Sequence, residues 1–468
     1  MRKYTLCLAV LSLCLLLTGC GQTVSAPKET EAPKDNSWTQ KVRQEPTEAV
    51  PEDEPWVVMP ELNPEGTIEP TVLLEEGGIK ITAQELTYNR YSAELSVLVE
   101  NQSQKNLSVI SGSLGYSRNS VNGQMIYDGY MHCELAPGET SEEDISFSNE
   151  MLLFYGIREI ADLELGFYTT DDDYHSTYFK PCQLKTALYE AHDYEQNVFQ
   201  EAIVEKTSQQ LFSYQLDYFE DAPDYQLNEL QLLSWGLLHK DQEPLLFLEF
   251  FNGSQIPVEV NLTDPTINGL VLNSTSQESE YISPGKTAVL AVPIPSDFRQ
   301  IYQSLFAIDQ IGAAACTLTL ENEDGRELLK PQRLYLDIPD VPESFQHTGT
   351  EVFTKNDLRI LSLDVLEDPS EYSDEMHLLF LVENQAGLDV KLNDQYDSAV
   401  INGQEADYSL PSLRISNGES GILDLTLYGS WLKDNQISQP SHITQAELGL
   451  KISSGSTTLE EPTLKITY

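Results

Sequence analysis

Basic residues are scarce in this chain. Lys and Arg number 27 against 75 Asp and Glu, a formal net charge of -48 over 468 residues. A surface this acidic repels phosphate backbones, so nucleic-acid binding has almost no electrostatic support. Histidine is also rare: His132, His175, His192, His239, His347, His377 and His442 are scattered, and none shows the spacing of two ligands on one helical turn. No Gly-x-Ser-x-Gly elbow, phosphate loop or zinc-hydrolase helix occurs, which leaves the common hydrolase and nucleotide chemistries without a motif. Acidic pairs such as Glu142-Glu143 and Glu220-Asp221 are plentiful, but in so acidic a chain they read as solvated surface rather than as a general acid and base. We therefore expect no catalysis, no cofactor and no resident metal. Aromatic residues are not lacking: 23 Tyr and 15 Phe are too many for a wholly unstructured polypeptide.

Long apolar runs are missing as well, with one short exception at the amino end. Arg2 and Lys3 are followed by an apolar run from Leu6 to Leu17, too short to span a membrane and stay, and then by Leu17-Thr18-Gly19-Cys20. A positive end, a short apolar run and a small-residue site make a secretory signal peptide, here residues 1–19. The Leu-Thr-Gly-Cys ending resembles the lipobox of bacterial lipoproteins. That resemblance implies that Cys20 receives a diacylglycerol thioether and becomes the new amino end. Each buried methylene of such an anchor contributes roughly 0.8 kcal/mol, so several acyl chains hold firmly. The implied location is the extracytoplasmic face of the bacterial cell membrane. Arg2 and Lys3 are the only charged residues removed with the signal, so the acidity belongs to the mature, exposed chain.

Residues 20–71 read as a disordered linker, with Pro27, Pro33, Pro46, Pro51, Pro55, Pro60, Pro64 and Pro70 recurring among Glu, Thr and Ser and no apolar period. Like-charged, proline-rich chain is extended and suits lifting a domain from a membrane. Trp56-Val57-Val58-Met59 is its one apolar patch, which either docks on the first domain or stays free with the rest of the tether.

Beyond the linker the chain repeats itself. Val99-Glu100-Asn101-Gln102 recurs as Val382-Glu383-Asn384-Gln385, with Glu249-Phe250-Phe251-Asn252 between them. Each is followed by an Asn-Gly pair (Asn122-Gly123, Asn268-Gly269, Asn402-Gly403), then by a second turn at Pro137-Gly138, Pro284-Gly285 or Asn417-Gly418. Each unit ends on a proline before a short strand, at Pro181, Pro331 and Pro462. Leu95, Val97 and Val99 alternate with polar positions, as do Leu423, Leu425 and Leu427, and Asn-Gly favours tight hairpins. One helical turn is expected in each unit, near Asn149–Leu153, Ser296–Tyr302 and Ser430–Leu432. The period is too long for a solenoid. The reading is all-β: three tandem immunoglobulin-like antiparallel β-sandwiches at 72–187, 227–339 and 351–468, with a connector at 188–226 and a linker at 340–350. The connector reads either as a short helix plus linker or as extra strands.

The lipobox, the acidic tether and these repeats together resemble a broad group of uncharacterised Gram-positive bacterial surface lipoproteins with repeated immunoglobulin-like extracytoplasmic domains. The resemblance is close at the lipobox and loose over residues 72–468. It implies fold and location and carries over no catalytic residue.

Three cysteines remain after Cys7, Cys14 and Cys20. Cys133 shares a strand face with Met131 and Leu135, and Cys182 with Leu184, so both point to one core, where an oxidising location permits a disulfide. Two separate buried thiols are the alternative, and Cys316, in line with Leu318 and Leu320, reads as a buried free thiol. The best calcium candidate is Asp171-Asp172-Asp173, yet the matching turns are Glu321–Gly325 and Ser453–Ser456, and the last has no acid, so hairpin-turn chemistry explains the position better. Tyr88, Tyr91, Tyr116, Tyr127 and Tyr130 cluster in the first unit, and Tyr214, Tyr218 and Tyr225 in the connector, either as packing or as a binding surface. The expected function is a non-catalytic, membrane-anchored protein presenting its domains to an unknown protein or glycan partner. A solute-binding receptor for a transporter and a passive envelope spacer are the alternatives; one contiguous exposed aromatic patch favours binding.

Overall fold

The computed structural model describes residues 59–468 except 113–117, 195, 222, 224, 241–242, 272–277, 295–310, 342–348, 369–372 and 397. The signal segment, Cys20, Trp56, Tyr116 and the helical turn expected at Ser296–Tyr302 lie outside the described residues. The fold is mostly β, in several antiparallel sheets. No helix among the described residues is long and apolar enough to cross a membrane.

In the first repeat, Thr71–Glu76, Ile79–Tyr88, Ser92–Asn101 and Thr140–Ser148 form a four-stranded antiparallel sheet in that order. A second sheet has the order Ser176–Tyr178, Phe167–Asp171, Leu107–Ser111, Met131–Leu135. Alternation along the central strands turns one face inward: Leu95, Val97 and Val99 of the first sheet share one apolar cluster with Val109, Phe167 and Leu135 of the second.

Adjacent repeats are joined through shared sheets. Cys182–Lys185, Asp162–Leu165, Asn119–Val121 and Gln124–Ile126 of the first repeat run on into Thr287–Pro293, Glu243–Asn252 and Leu230–Lys240 of the second and Tyr214–Asp221 of the connector. The join is a parallel contact of Gln124 with Thr287, whose amide donates to the Gly123 carbonyl at 2.9 Å. The next boundary repeats the device: Leu270–Val271 pairs in parallel with Ser420–Gly421, and the Ser420 amide donates to the Gly269 carbonyl at 2.8 Å. Apolar side chains cross these boundaries. Met125 enters the second cluster, and so do Leu379, Leu381 and Ile422 of the third repeat. Arg333 of the second repeat clasps the buried Glu419 of the third with Nε and Nη2 at 3.0 and 2.7 Å.

The recurring sequence landmarks occupy recurring buried sites. Asn101, Asn252 and Asn384 are each at most 1% exposed. In all three, Nδ2 donates to two main-chain carbonyls: Lys105 and Leu135, Ile256 and Ile282, Leu388 and Ile415, at 2.8 to 3.1 Å. Their own carbonyls accept from Gly138, Gly285 and Gly418 of the second turn. The Asn-Gly residues Asn122, Asn268 and Asn402 take φ of 50°, 50° and 51°, a left-handed conformation that Asn tolerates. The three Oδ1 atoms then accept from Ala161 and Asp162, from Gly312 and Ala313, and from Thr444 and Gln445, fixing the starts of strands Asp162–Leu165, Ala313–Glu321 and Gln445–Ser454.

Helix α1, Asn149–Phe154, is capped by Ser148 and buries Met151, Leu152, Leu153 and Phe154. The 188–226 connector combines both alternatives read from its sequence. It holds helices α2, Val198–Val204, and α3, Lys206–Leu211, and then strand Tyr214–Asp221, which pairs with Leu230–Lys240. Phe199 of α2 lies between Phe154 and Phe247, with centroids at 6.4 and 5.8 Å, filling the first boundary with aromatic rings. A fourth helix, α4 at Gly429–Asp434, matches the turn expected at Ser430–Leu432.

The linker boundary is corrected. Residues 59–71 are not free tether: Leu62 is 5% exposed, Met59 packs on the first cluster, the Asn63 amide donates to the Arg158 carbonyl, and the Ala187 amide donates to the Thr67 carbonyl. At Gly66 a Cβ would come within 2.6 Å of both the Ile160 carbonyl and the Tyr88 hydroxyl. The packing of Met59 is the docking considered for the apolar patch; beyond it the contact depends on single apolar residues and a glycine rather than on periodicity, which the proline spacing masked.

Candidate functional site

The second sheet of the first repeat turns its outer face to solvent, and cross-strand register sorts that face into two rows. Tyr178, Tyr168, Ile110 and His132 lie side by side in one row, and Ser176, Thr170, Ser108 and Glu134 in the other. Tyr168 and Tyr178 stack with centroids 5.1 Å apart. Thr170 and Ser176 hydroxyls are 3.0 Å apart, and Ser108 Oγ lies 2.8 Å from His132 Nε2. Among the described residues no carboxylate orients the other nitrogen of His132, so this pair lacks the third member that activates a serine.

Where the hydroxyl row meets the loops, a groove of about 640 Å³ opens, lined by Asn106, Ser108, Ile110, Glu134, Thr170, Asp171, Asp172 and Tyr174. Its rim is the turn after Phe167–Asp171. Asp171 Oδ1 accepts from the amides of Asp173 and His175, both at 3.0 Å, while Lys105 Nζ donates to Oδ2. The hydrogen bond from Lys105 and these amides hold the Asp171 carboxyl down at about 2. Asn106 Nδ2 donates to Asp172 Oδ2 at 2.8 Å.

The calcium candidate sits on this rim. Among the described residues, Asp171, Asp173 and His175 form the one group whose ligating atoms lie within 4.8 Å of one another. Sequence reading named the acids and missed His175, which the turn folds back beside them. The second repeat builds the same turn with a neutral residue: Asn322 Oδ1 accepts from the Asp324 and Arg326 amides at 3.2 and 2.8 Å. The carboxylate at 171 is thus accounted for by its turn and by Lys105, without a metal.

Tyr174 is the unusual member of the groove. It is 89% exposed, and its φ is 61°, where Gly325 in the matching turn has 68°. Tyr174 and Tyr178, at 89% and 55% exposure, belong to the hairpin of Phe167–Asp171 and Ser176–Tyr178, where Tyr178 stacks on Tyr168; Tyr130, at 60% exposure, stands at the opposite end of the sheet, beside Met131. The other tyrosines singled out in the sequence are mostly structural. Tyr88 donates to the Gly66 carbonyl, buried Tyr214 to the Ile203 carbonyl, Tyr127 lies under the Arg118 guanidinium and Tyr218 packs on Trp235. Tyr91 stands exposed away from this sheet. Of the acidic pairs, Glu220 accepts the Trp235 indole N–H at 2.7 Å, a structural role.

The disulfide considered between Cys133 and Cys182 is not made; both are free thiols, as is buried Cys316. The two contact the same apolar cluster, as their strand faces require, but they sit in different sheets. Cys133 lies opposite Val109, whereas Cys182 lies opposite Leu165 and turns its thiol to the Lys180 carbonyl at 3.6 Å. Burial pushes the thiols of Cys133 and Cys316 up to about 12 and that of Cys182 to about 11, which makes all three poor nucleophiles.

No family model and no curated protein matches this chain. Among solved structures, one of a 1.5-MDa bacterial ice-binding adhesin aligns over 81% of this chain and 90% of its own, at 10% identity and a TM-score of 0.13. A protein of unknown function from Porphyromonas gingivalis W83 aligns over 49% and 92%, at 11% identity and a TM-score of 0.14. A Ca2+-stabilized adhesin of an Antarctic bacterium aligns over 80% and 68%, at 10% identity and a TM-score of 0.13. Likenesses this distant carry no argument about what this chain binds.

Proposed function

We propose that this chain is a non-catalytic surface lipoprotein, anchored through Cys20 to the extracytoplasmic face of a bacterial membrane, which presents three immunoglobulin-like β-sandwich modules to a protein or glycan partner. The observation that carries the binding role is the contiguous exposed face of the first repeat. Tyr174 lines a groove of about 640 Å³ there and shares its hairpin with the stacked Tyr168 and Tyr178, whereas a passive spacer needs only dispersed polar surface. The three-module reading is supported by the recurrence of the buried asparagines with the same partners. The anchor is supported by Leu17-Thr18-Gly19-Cys20.

The test is binding of the fluorescently labelled mature chain, residues 20–468 carrying Cys20→Ser, to intact bacterial or host cells. Saturable binding that falls when Tyr174 and Tyr178 are changed to Ser is expected. Absence of binding, or binding indifferent to that double change, contradicts the role.

A further inference from the structure

We infer that the groove beside the Asp171–His175 turn docks a basic segment of a protein partner, with the Tyr174 ring as platform for a Lys or Arg side chain and Asp172 and Glu134 as its counter-charges. This rests on the reading of the chain as an outward-facing binding protein, and it names the partner's chemistry.

The second repeat supplies an internal control. In both turns the first residue's amide donates to the fifth residue's carbonyl, at 3.1 Å from Asp171 to His175 and 3.0 Å from Asn322 to Arg326. In both, the fourth residue's amide returns to the first residue's carbonyl, at 2.9 Å for Tyr174 and 2.8 Å for Gly325. The fourth position is left-handed in each, a conformation that costs any residue with a Cβ and costs glycine little. The first repeat nevertheless holds a tyrosine there and leaves it 89% exposed, so the ring returns almost no burial to the fold. Strain kept at an exposed groove, without packing to offset it, is accounted for by a ligand that uses the ring.

Charge selects the ligand. Lys105 pairs with Asp171, which leaves Asp172 and Glu134 as the carboxylates facing the groove. The chain as a whole carries -48, so its field draws in cations and rejects phosphate, sulfate and carboxylate ligands. An aromatic face next to carboxylates is the chemistry that holds an ammonium or guanidinium group: the ring quadrupole attracts the cation and the carboxylates accept its N–H groups. A neutral glycan would use the ring and gain nothing from the acids.

The experiment is calorimetric titration of the mature chain with an octa-arginine peptide and, separately, with cellohexaose and chitohexaose, at low and at physiological salt. One peptide per chain is expected, with affinity that falls as salt is added. Binding should weaken about ten-fold in Tyr174→Gly and in the double variant Glu134→Gln/Asp172→Asn. It should stay within about two-fold of wild type in Glu85→Gln/Glu142→Gln, which removes two exposed charges from the other sheet. Tyr174→Gly installs the residue that the second repeat uses, so its unfolding midpoint should stay at or above that of wild type and separate loss of ligand from loss of fold. Equal weakening by the two double variants, or full-strength binding by Tyr174→Gly, overturns the proposal. So does salt-insensitive binding of a hexasaccharide that Tyr174→Gly abolishes, which would assign the groove to a glycan. A chain that binds cells but not the peptide refutes the basic partner and leaves the binding role standing; failure to bind cells refutes the role itself.

Discussion

Asn101, Asn252 and Asn384 close the same buried gap in their three repeats. Each amide group reaches a carbonyl four residues ahead and another across the sandwich, and each Oδ1 accepts a main-chain amide two residues on, from Ser103, Ser254 and Ala386. A buried carbonyl without a donor costs more than the net gain of an ordinary hydrogen bond, because its desolvation is no longer offset. Asn384→Ala should therefore lower stability by about 3 kcal/mol, read from urea unfolding, whereas the exposed neighbour Gln385→Ala should stay within about 0.5 kcal/mol of wild type. A loss below about 1 kcal/mol at Asn384 would mean that the landmark marks the turn and not the core. The sequence displays these asparagines plainly, since three copies stand in the same order. Their purpose is not legible there, because Asn101 and Leu135, or Asn384 and Ile415, meet only after the sheets have formed.

At the scale of elements, alternation and turn residues were sufficient for most strands and for α1 and α4, where local preference and tertiary packing agree. The connector was ambiguous for a physical reason. Helices α2 and α3, seven and six residues long, are as short as α1 and α4 but lie outside the repeated landmarks that located those two, and they persist because Phe199, Ala202 and Ile203 are buried at the first boundary. The strand Glu278–Ile282 carries a strain that sequence patterning hides, since Glu278 is 3% exposed. Burial, reinforced by the charge of Glu280, pushes the Glu278 carboxyl up to about 7. The folded chain then holds a proton that the unfolded chain releases near the usual carboxylate value. Stability from this group is fully present below about 4.5 and is lost as pH rises through about 7. Glu278→Gln should remove that loss, making the variant more stable than wild type by about 2–3 kcal/mol at pH 8 relative to their difference near pH 4.5. Parallel pH profiles for the two proteins would contradict it.

Across the whole molecule, sheets that run through both boundaries make the repeats a continuous array, and each end of that array is closed. Ser96 and Glu142 of the first repeat occupy the positions of Phe247 and Val289 in the second and of Leu379 and Ile422 in the third. Those apolar residues are buried at most 9% exposed, mostly against the preceding repeat, whereas Glu142 faces solvent. At the far end the hairpin after Asn402-Gly403 finishes in exposed Gln404 and Glu405, where the earlier hairpins place buried Met125 and Val271. Polar end faces of this kind stop an array from adding further copies. The mature chain should be monomeric by light scattering at micromolar concentration; mass increasing with concentration in whole-chain steps would show that the ends join. The β class was legible from the alternation of residues such as Leu95, Val97 and Val99. The sharing of sheets was not, because it depends on a single parallel contact at Gln124 and another at Leu270. Docking was readable only for the apolar patch that ends at Met59; that residues up to 71 follow it onto the first repeat was not, since Leu62 stands alone in a proline-rich stretch.

The proposed role depends first on where the chain is held. The direct measurement is the intact mass of the protein extracted from membranes of cells expressing the full sequence. The account predicts a chain that begins at Cys20 and carries the added mass of a diacylglyceryl group, with Cys20→Ser both unmodified and absent from the membrane fraction. A chain that still begins at Met1, or an unmodified Cys20 in a protein recovered with the cytosol, would contradict it.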